Sequence, residues 1–476
     1  MLVDVDEFPK SWGQATILAI QHVLAMFVAC ITVPLIVFSS YTTGDGANLA
    51  QLLIAPTIVS AGIGTLFYLF MTKFKSPMFL ASSFAYLSPM ISAVAIGFTE
   101  TGKPNLWLLP IGMLMVGLVY VIVAIIIKFC GVKWLNKLLP PLVIGPVIMV
   151  IGLGLAGSAI NNLNNTASGT YNLLHILSGL VAMVVTGICA HYGKKTLSLI
   201  PFVIGMGAGY LFALIITLIG YYGAGSEYCK IVDLSPIVNN FVDNNGFRGV
   251  QAFLDYPKFL FLQAENSQPL SWSGVAQAAM LFIPVSLVTI CEHIGDHENM
   301  SGVIQKNLLE EPGLDRTLIG DGVATALSGG LCGAANTTYG ENVAVVGVSK
   351  VASTKVIAMA CGIAILLGFI SPLMSIVQTI PGCICGGVSL VLYGFIASSG
   401  VKILMANKID MGATKSIFVA STILVAGIGG LAINFSIGQV AFSISSTAVA
   451  MILGIIMNVI LRDKKDDKPA APAEGE

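Results

Sequence analysis

Apolar runs of about twenty residues recur from residue 14 to residue 461 of this chain, separated by short polar connections. No other feature constrains the fold as tightly. A helix of that length spans a hydrocarbon core of ~30 Å, and every backbone polar group at that depth must be paired inside the protein. Charged residues make up only 10% of the 476 and hydrophobic ones 56%. A soluble domain carries roughly 25% charge, so an integral membrane protein is expected. Spans are predicted near 14–38, 50–72, 77–98, 106–129, 138–160, 173–192, 196–222, 273–295, 317–335, 336–349, 356–380, 383–401, 416–433 and 440–461. That is an all-α polytopic protein of fourteen transmembrane segments, of which the third and tenth look irregular. Residues 1–13 form a short N-terminal segment whose Asp4, Asp6 and Glu7 stand where a cleavable signal peptide would be basic. The polar stretch 462–476 is expected to be a disordered tail.

Orientation follows from Lys and Arg. With the N-terminus in the cytoplasm and fourteen crossings, 19 of the 23 fall inside, leaving Lys103, Lys230, Arg248 and Lys258 outside. Three of those four lie in the long loop 223–272, where the positive-inside rule is weak. Both termini are therefore expected to be cytoplasmic, in a plasma membrane. The net charge of −1 says nothing about partners, and no nucleic-acid partner is expected. The nine Cys lie mostly in apolar runs and read as small buried hydrophobes. Cys383 and Cys385 lack a second Cys or His pair, so neither metal nor cofactor is expected.

The loop 223–272 divides the chain into two groups of seven spans, 14–222 and 273–461. An odd number in each half makes any repeat an inverted one. "SSFAY" (82–86) in the third span resembles "TTYGE" (337–341) in the tenth, and Gln21-His22 in the first span matches Glu292-His293 in the eighth. From Glu341 only nine residues remain before Lys350, about 14 Å of helix or half a bilayer. The residues before it are therefore expected to reach the midplane as extended chain, with Gly333 and Gly340 relaxing the backbone. "FLASSF" before a helix from about Ala85, with Pro89 in its opening turns, reads the same way. Two broken spans of opposite direction would place two half-helix N-termini at one point, the usual location of a transporter's binding site.

Acidic residues converge on that place. An ionisable group inside a span costs at least ~2.5–3.5 kcal/mol and is a functional candidate by default. Glu292 and Asp296 share one face of the eighth helix, Glu341 lies in the tenth span and His22 in the first. His297 and Glu298 read as solvated at a helix end, Asp321 as a packing or capping residue, and His175 and His191 as solvated or interfacial.

"IQHVLAMF", "SSFAYLSP", "LPPLVIGPVIMVIGLGLAG", "CEHIGDH", "NTTYGENVAV" and "GGVSLVLYGFIASSG" follow one another in order along the chain. Together they resemble the nucleobase–ascorbate transporter family, most of all its bacterial uracil permeases, from about residue 14 to 461. The resemblance implies two inverted repeats of seven spans, a substrate-carrying core domain, a gate domain and proton-coupled uptake, and it is compatible with a homodimer. By matching positions, Glu292 and Glu341 would hold the base and the backbone N–H groups of Phe84 and Gly340 would face its carbonyls. Ser83, Tyr339 and Asn342 would line the site, His22 would support it, and Ser389 and Tyr393 would face it from the gate. Glu292 is the first candidate for proton carrier and Asp296 the second, with Glu341 and His22 in the same network.

Two departures qualify the substrate. "ENVAVVGVSK" has Ala344 and Ser349 where the family signature has Gly and Thr, and Asp296 stands where uracil permeases typically have His. Asp there, as in purine members, favours xanthine or uric acid, whereas Glu341 is the uracil-type residue. Uracil is the first reading and a purine the alternative. A remote rival is an intramembrane metallohydrolase using His293 and His297, because "HIGDH" has the spacing of an inverted zincin. A passive anion channel would want a basic residue where Glu341 stands.

Overall fold

The computed structural model describes residues 1–461 except 39–40, 42–47, 167–169, 195–196, 198–199, 244–245, 260–264, 266 and 438–439. The expected tail 462–476 lies outside the described residues. The first part of the chain runs α1 (Trp12–Phe38), α2 (Leu49–Met71), β1 (Leu80–Ser82), α3 (Leu87–Ala95), the single turn α4 (Phe98–Thr101) and α5 (Leu108–Cys130). Then come α6 (Lys133–Leu138), α7 (Pro141–Gly154), α8 (Ala156–Asn164), α9 (Leu173–Tyr192) and α10 (Pro201–Ile216). The long connection contains α11 (Ser235–Phe241) and the two-residue strands β2 (Val242–Asp243) and β3 (Gly246–Phe247). The second part runs α12 (Trp272–Ile304), α13 (Leu314–Gly330), β4 (Asn336–Thr338), α14 (Gly340–Ser349), α15 (Thr354–Leu367) and α16 (Ser371–Gln378). It ends with α17 (Gly382–Ala406), α18 (Thr414–Ile428), β5 (Ile433–Ile437), β6 (Val440–Ile444) and α19 (Ser446–Ile460).

Among the described residues, eight helices are long and apolar enough to cross a membrane, and α15, α18 and α19 are shorter apolar helices. The expected spans map onto these elements with some differences. The fifth breaks at Leu155 between α7 and α8, and the seventh finishes as π-helix over Thr217–Gly223. The eleventh breaks into α15 and α16. The eighth runs on to Ile304, nine residues past its expected end. The connection between the last two expected spans, with the first residues of the fourteenth, instead forms the β5–β6 hairpin, whose Phe435 and Phe442 rings stack at 5.3 Å. Alternation in "INFSI" and "VAFSI" suits strands, and the helix pattern resumes only at Ser445, whose hydroxyl accepts from Ala448 N–H.

Helices pack in two groups that cut across the sequence halves. In one, α13 lies against α5 and α2, α15 against α2 and α1, and α12 against α5. In the other, α17 lies against α7, α8 and α9, with α10 on α9 and α18 on α19 and α7. Small residues set the close approaches within each group, as is usual between helices that have no water to expel. A Cβ on Gly117 of α5 would stand 2.6 Å from the Gly322 carbonyl of α13, and one on Gly400 of α17 only 2.3 Å from the Gly145 carbonyl of α7.

Within the first group, against α1, α2 and α13, β1 and β4 pair antiparallel in the register Leu80↔Thr338, Ala81↔Thr337, Ser82↔Asn336. At the end of the bundle where α1 begins, the N-terminal residues run beside the α14–α15 connection. Val3 bridges Val351, Ala352 N–H donates to Val3 O (3.0 Å) and Thr354 N–H donates to Val5 O (3.0 Å). The Lys306 ammonium pairs with Asp4 at 2.7 Å and holds that carboxyl below the usual carboxylate range. Val5 packs among Met78, Met300, Ile304 and Val346.

Candidate functional site

Two short extended strands inside an apolar bundle leave backbone groups that helices would have satisfied, and neighbouring hydroxyls take them up. Thr65 of α2 accepts from Leu80 N–H (2.9 Å) and donates to Leu80 O (3.2 Å). Thr57 accepts from Ala334 N–H at 3.2 Å, and Ser60 bonds Ser328, which donates to Ala334 O. Thr325 of α13 donates to Asn336 O, and the Asn336 amide donates to Ser60 O at 3.1 Å. Irregular backbone at this depth survives because protein encloses it on both sides. Gly333 serves this packing rather than backbone freedom, contrary to expectation. Its φ is ordinary and the left-handed residue is Cys332 (φ 58°), while a Cβ on Gly333 would meet Ser60 Oγ at 2.1 Å. Gly340 likewise has no left-handed φ.

The strands deliver two helix starts to one region. Ser83 N–H donates to Ala335 O (2.7 Å) and Tyr339 N–H donates to Phe79 O (3.1 Å), after which α3 and α14 begin. α3 starts at Leu87, two residues past its expected start, with Pro89 in its first turn. The N–H groups of a first turn have no acceptor within their own helix, which applies to Gly340 and Glu341 at the start of α14, while Phe84 lies in the link between β1 and α3. Asp296 of α12 accepts from Thr338 Oγ1 at 2.8 Å, and a Cβ on Gly340 would lie 3.3 Å from its Oδ1. Glu292 stands one turn earlier, within electrostatic reach of Asp296 and Glu341. The Asn342 amide donates to His22 O of α1 at 3.4 Å. From the other helix group, the Tyr393 ring of α17 meets Phe84 edge-on at 5.7 Å.

Several of these side chains hold a buried polar atom with no hydrogen bond of normal geometry among the described residues. They include Gln21 Oε1, His22 Nδ1, Ser83 Oγ, Glu292 Oε2, Asn342 Oδ1, Ser389 Oγ and Tyr393 Oη. Buried polar atoms are nearly always paired. A concentration of unpaired ones, from both helix groups and beside two helix N-termini, is chemistry suited to a small polar ligand rich in hydrogen bonds.

Behind the carboxylates lies a second polar network that sequence reasoning misread. His297 is fully buried rather than solvated; its Nε2 meets Tyr68 Oη (2.6 Å) and its Nδ1 meets His293 O (2.7 Å). His293 pairs Nδ1 with Asp321 Oδ2 (2.7 Å) and Nε2 with Thr317 Oγ1 (3.0 Å). Asp321 sits mid-helix in α13, so it caps nothing; it holds His293 and accepts from Thr337 at 3.4 Å. All four ring nitrogens of His293 and His297 are thus engaged, which leaves none to ligate a metal in the zincin manner. Glu298 and His191 are exposed, as expected for helix ends, whereas His175 is buried. The supporting hydroxyls Thr57, Ser60 and Thr65 were missed. Their spacing along one face of an otherwise apolar span was the available signal.

Broken membrane segments whose starts meet half-buried carboxylates define a membrane transporter, not an enzyme. The permease family's model matches residues 13–435, and the chain belongs to that family, as its motifs implied. It is 38% identical over 460 residues to a uracil permease of Bacillus caldolyticus, covering 97% of this chain and 94% of that one. It is 37% identical to a uracil permease of Bacillus subtilis (97% and 94% covered) and 31% identical to one of Escherichia coli (94% and 90% covered). Among solved structures, the transmembrane domain of the cyanobacterial bicarbonate transporter BicA matches with a TM-score of 0.57 at 12% identity, covering 92% of this chain and 96% of that one. The murine anion transporter Slc26a9 in its inward-facing state matches with a TM-score of 0.59 at 8% identity, covering 96% and 69%. At such identities these two share the fold alone.

Proposed function

We propose that this permease takes up uracil with protons across the plasma membrane, both termini cytoplasmic, by movement of a core domain against a gate domain. The observation that carries the reading is the meeting of the α3 and α14 starts with Glu292, Asp296 and Glu341, opposite Ser389 and Tyr393. Uracil presents ring N–H donors beside carbonyl acceptors. Carboxylates complement the first and helix-start N–H groups the second, and charge-assisted bonds are roughly twice as strong as neutral ones. Glu292 and Glu341 take the ring N–H groups; the N–H groups of Phe84 and Gly340 take the carbonyls; Ser83, Tyr339 and Asn342 complete the wall. The α13–α2–α15 group is the core and the α17–α7–α9 group the gate, assembled from inverted repeats 14–222 and 273–461 of seven spans each. Glu292 carries the proton, and Asp296 relays it beside Thr338.

Asp296 in place of the His typical of uracil permeases keeps xanthine and uric acid as the second reading. Labelled uracil uptake in cells lacking their own permease tests both, with xanthine, uric acid and thymine as competitors. An uncoupler should abolish accumulation while leaving exchange of labelled for unlabelled base. Sodium-dependent accumulation that survives the uncoupler would overturn the coupling, and preferential competition by xanthine would overturn the substrate.

A further inference from the structure

Asp296 stands half-buried on α12, and Thr338 is its one hydrogen-bond partner among the described residues. A carboxylate inside an apolar bundle is costly unless donors hold it. Here a single hydroxyl does so, Thr338 Oγ1 donating to Asp296 Oδ2 at 2.8 Å. The other oxygen lies beside Gly340, where a Cβ would stand 3.3 Å from Oδ1. Thr338 ends β4 and Gly340 begins α14. One carboxylate of α12 therefore lies across the strand-to-helix junction of the broken segment, next to Glu341.

The hydroxyl that makes this contact is itself fixed. Thr338 is 2% exposed and opposes Leu80 in the β1–β4 pair. Leu80 is held through both its N–H and its C=O by Thr65. Side chains alternate along a strand, so Thr337 points the other way, and its hydroxyl donates to Asp321 at 3.4 Å. Asp321 in turn holds His293, three residues before Asp296 on α12. α12 thus grips β4 twice, once through His293 and Asp321 and once directly. Only the direct grip uses a group that stands beside both Glu341 and the α14 start. An aspartate has several staggered χ1 wells open to it, and one immobile donor selects among them.

We propose that Thr338 is a positioning residue for proton transfer. Its hydroxyl holds the Asp296 carboxylate against the β4–α14 junction, so that the relay group keeps its place relative to Glu341. The proposal rests on the relay reading of Asp296 above.

Accumulation of labelled uracil in cells lacking their own permease, set beside equilibrium binding to the purified full chain, tests it. Thr338→Val keeps the shape and removes the hydroxyl. Accumulation should fall about tenfold, the worth of one hydrogen bond to a charged group, while uracil affinity stays within about twofold. Thr338→Ser keeps the donor and should hold accumulation within about twofold of wild type. In an Asp296→Asn background, Thr338→Val should cost less than about twofold more, because a residue that acts through another adds little once that one is changed. Should Thr338→Val fold poorly, Thr338→Cys carries the test: its weaker donor should give accumulation between those of wild type and one tenth of it. Unchanged accumulation in a folded Val or Cys variant, an equal loss of binding, or an undiminished effect in the Asp296→Asn background overturns the proposal. Asp296→Asn that leaves accumulation intact would strike the relay reading, and the positioning role with it; an effective Asp296→Asn beside a silent Thr338→Val strikes the positioning role alone.

Discussion

Gly340→Ala separates the binding role of a helix start from its contribution to stability. A Cβ at this position meets only Asp296 Oδ1, at 3.3 Å, and the backbone φ is not left-handed, so alanine fits with a shift of a few tenths of an ångström. Stability should hold or rise by up to about 0.5–1 kcal/mol, the usual gain when glycine is replaced within a helix. Binding should move the other way. The new methyl stands beside Asp296, over the approach to the Gly340 N–H, and a net hydrogen bond is worth about 0.5–1.5 kcal/mol. With tenfold per 1.4 kcal/mol, loss of that one bond weakens uracil by about two- to tenfold. Equilibrium binding and thermal unfolding of the purified variant measure the two effects together. Unchanged uracil affinity in a variant that unfolds no earlier than wild type would refute the use of the α14 start as a carbonyl-binding site.

Glu341→Gln replaces a charge-assisted bond of about 1.5–3 kcal/mol with a neutral one of about 0.5–1.5 kcal/mol, so uracil affinity should fall by about five- to twelvefold and xanthine affinity by less. Competition binding on the purified variant checks this. Asp296→Asn should depress uracil accumulation in cells more than equilibrium binding; equal loss of both would place Asp296 in the binding site rather than the relay. Asp321→Ala leaves fully buried His293 without its 2.7 Å partner and should cost about 1–3 kcal/mol of stability, read as a lowered unfolding midpoint. Asp321→Asn should cost less, because an amide oxygen still accepts from the ring.

Much of the site was legible because it violates the composition around it. Glu292 and Glu341 stand out in apolar text, and the nine residues from Glu341 to Ser349 are too few to cross, which requires a broken span. Pairing of β1 with β4 was not legible, since three-residue strands carry no periodicity. Burial of His297 and His175 escaped for a related reason. Position near a helix end says nothing about what a neighbouring helix lays over it, and Tyr68 covering His297 comes from more than two hundred residues away. The β5–β6 hairpin was absorbed into flanking apolar runs because alternating Ile, Phe and Val satisfies a hydropathy window as well as a helix does.

The seven residues ahead of Phe8 offer a handle on the machinery that none of the site residues provides. Because Ala352 and Thr354 donate to Val3 and Val5, the loop leaving the Glu341 half-helix is stitched to the chain's own beginning. Those two amides should therefore exchange with deuterium slowly while the half-helix is seated and quickly once it shifts, reporting on it from outside the membrane without a label near the substrate. For the same reason a purification tag fused directly ahead of Met1 crowds this seam.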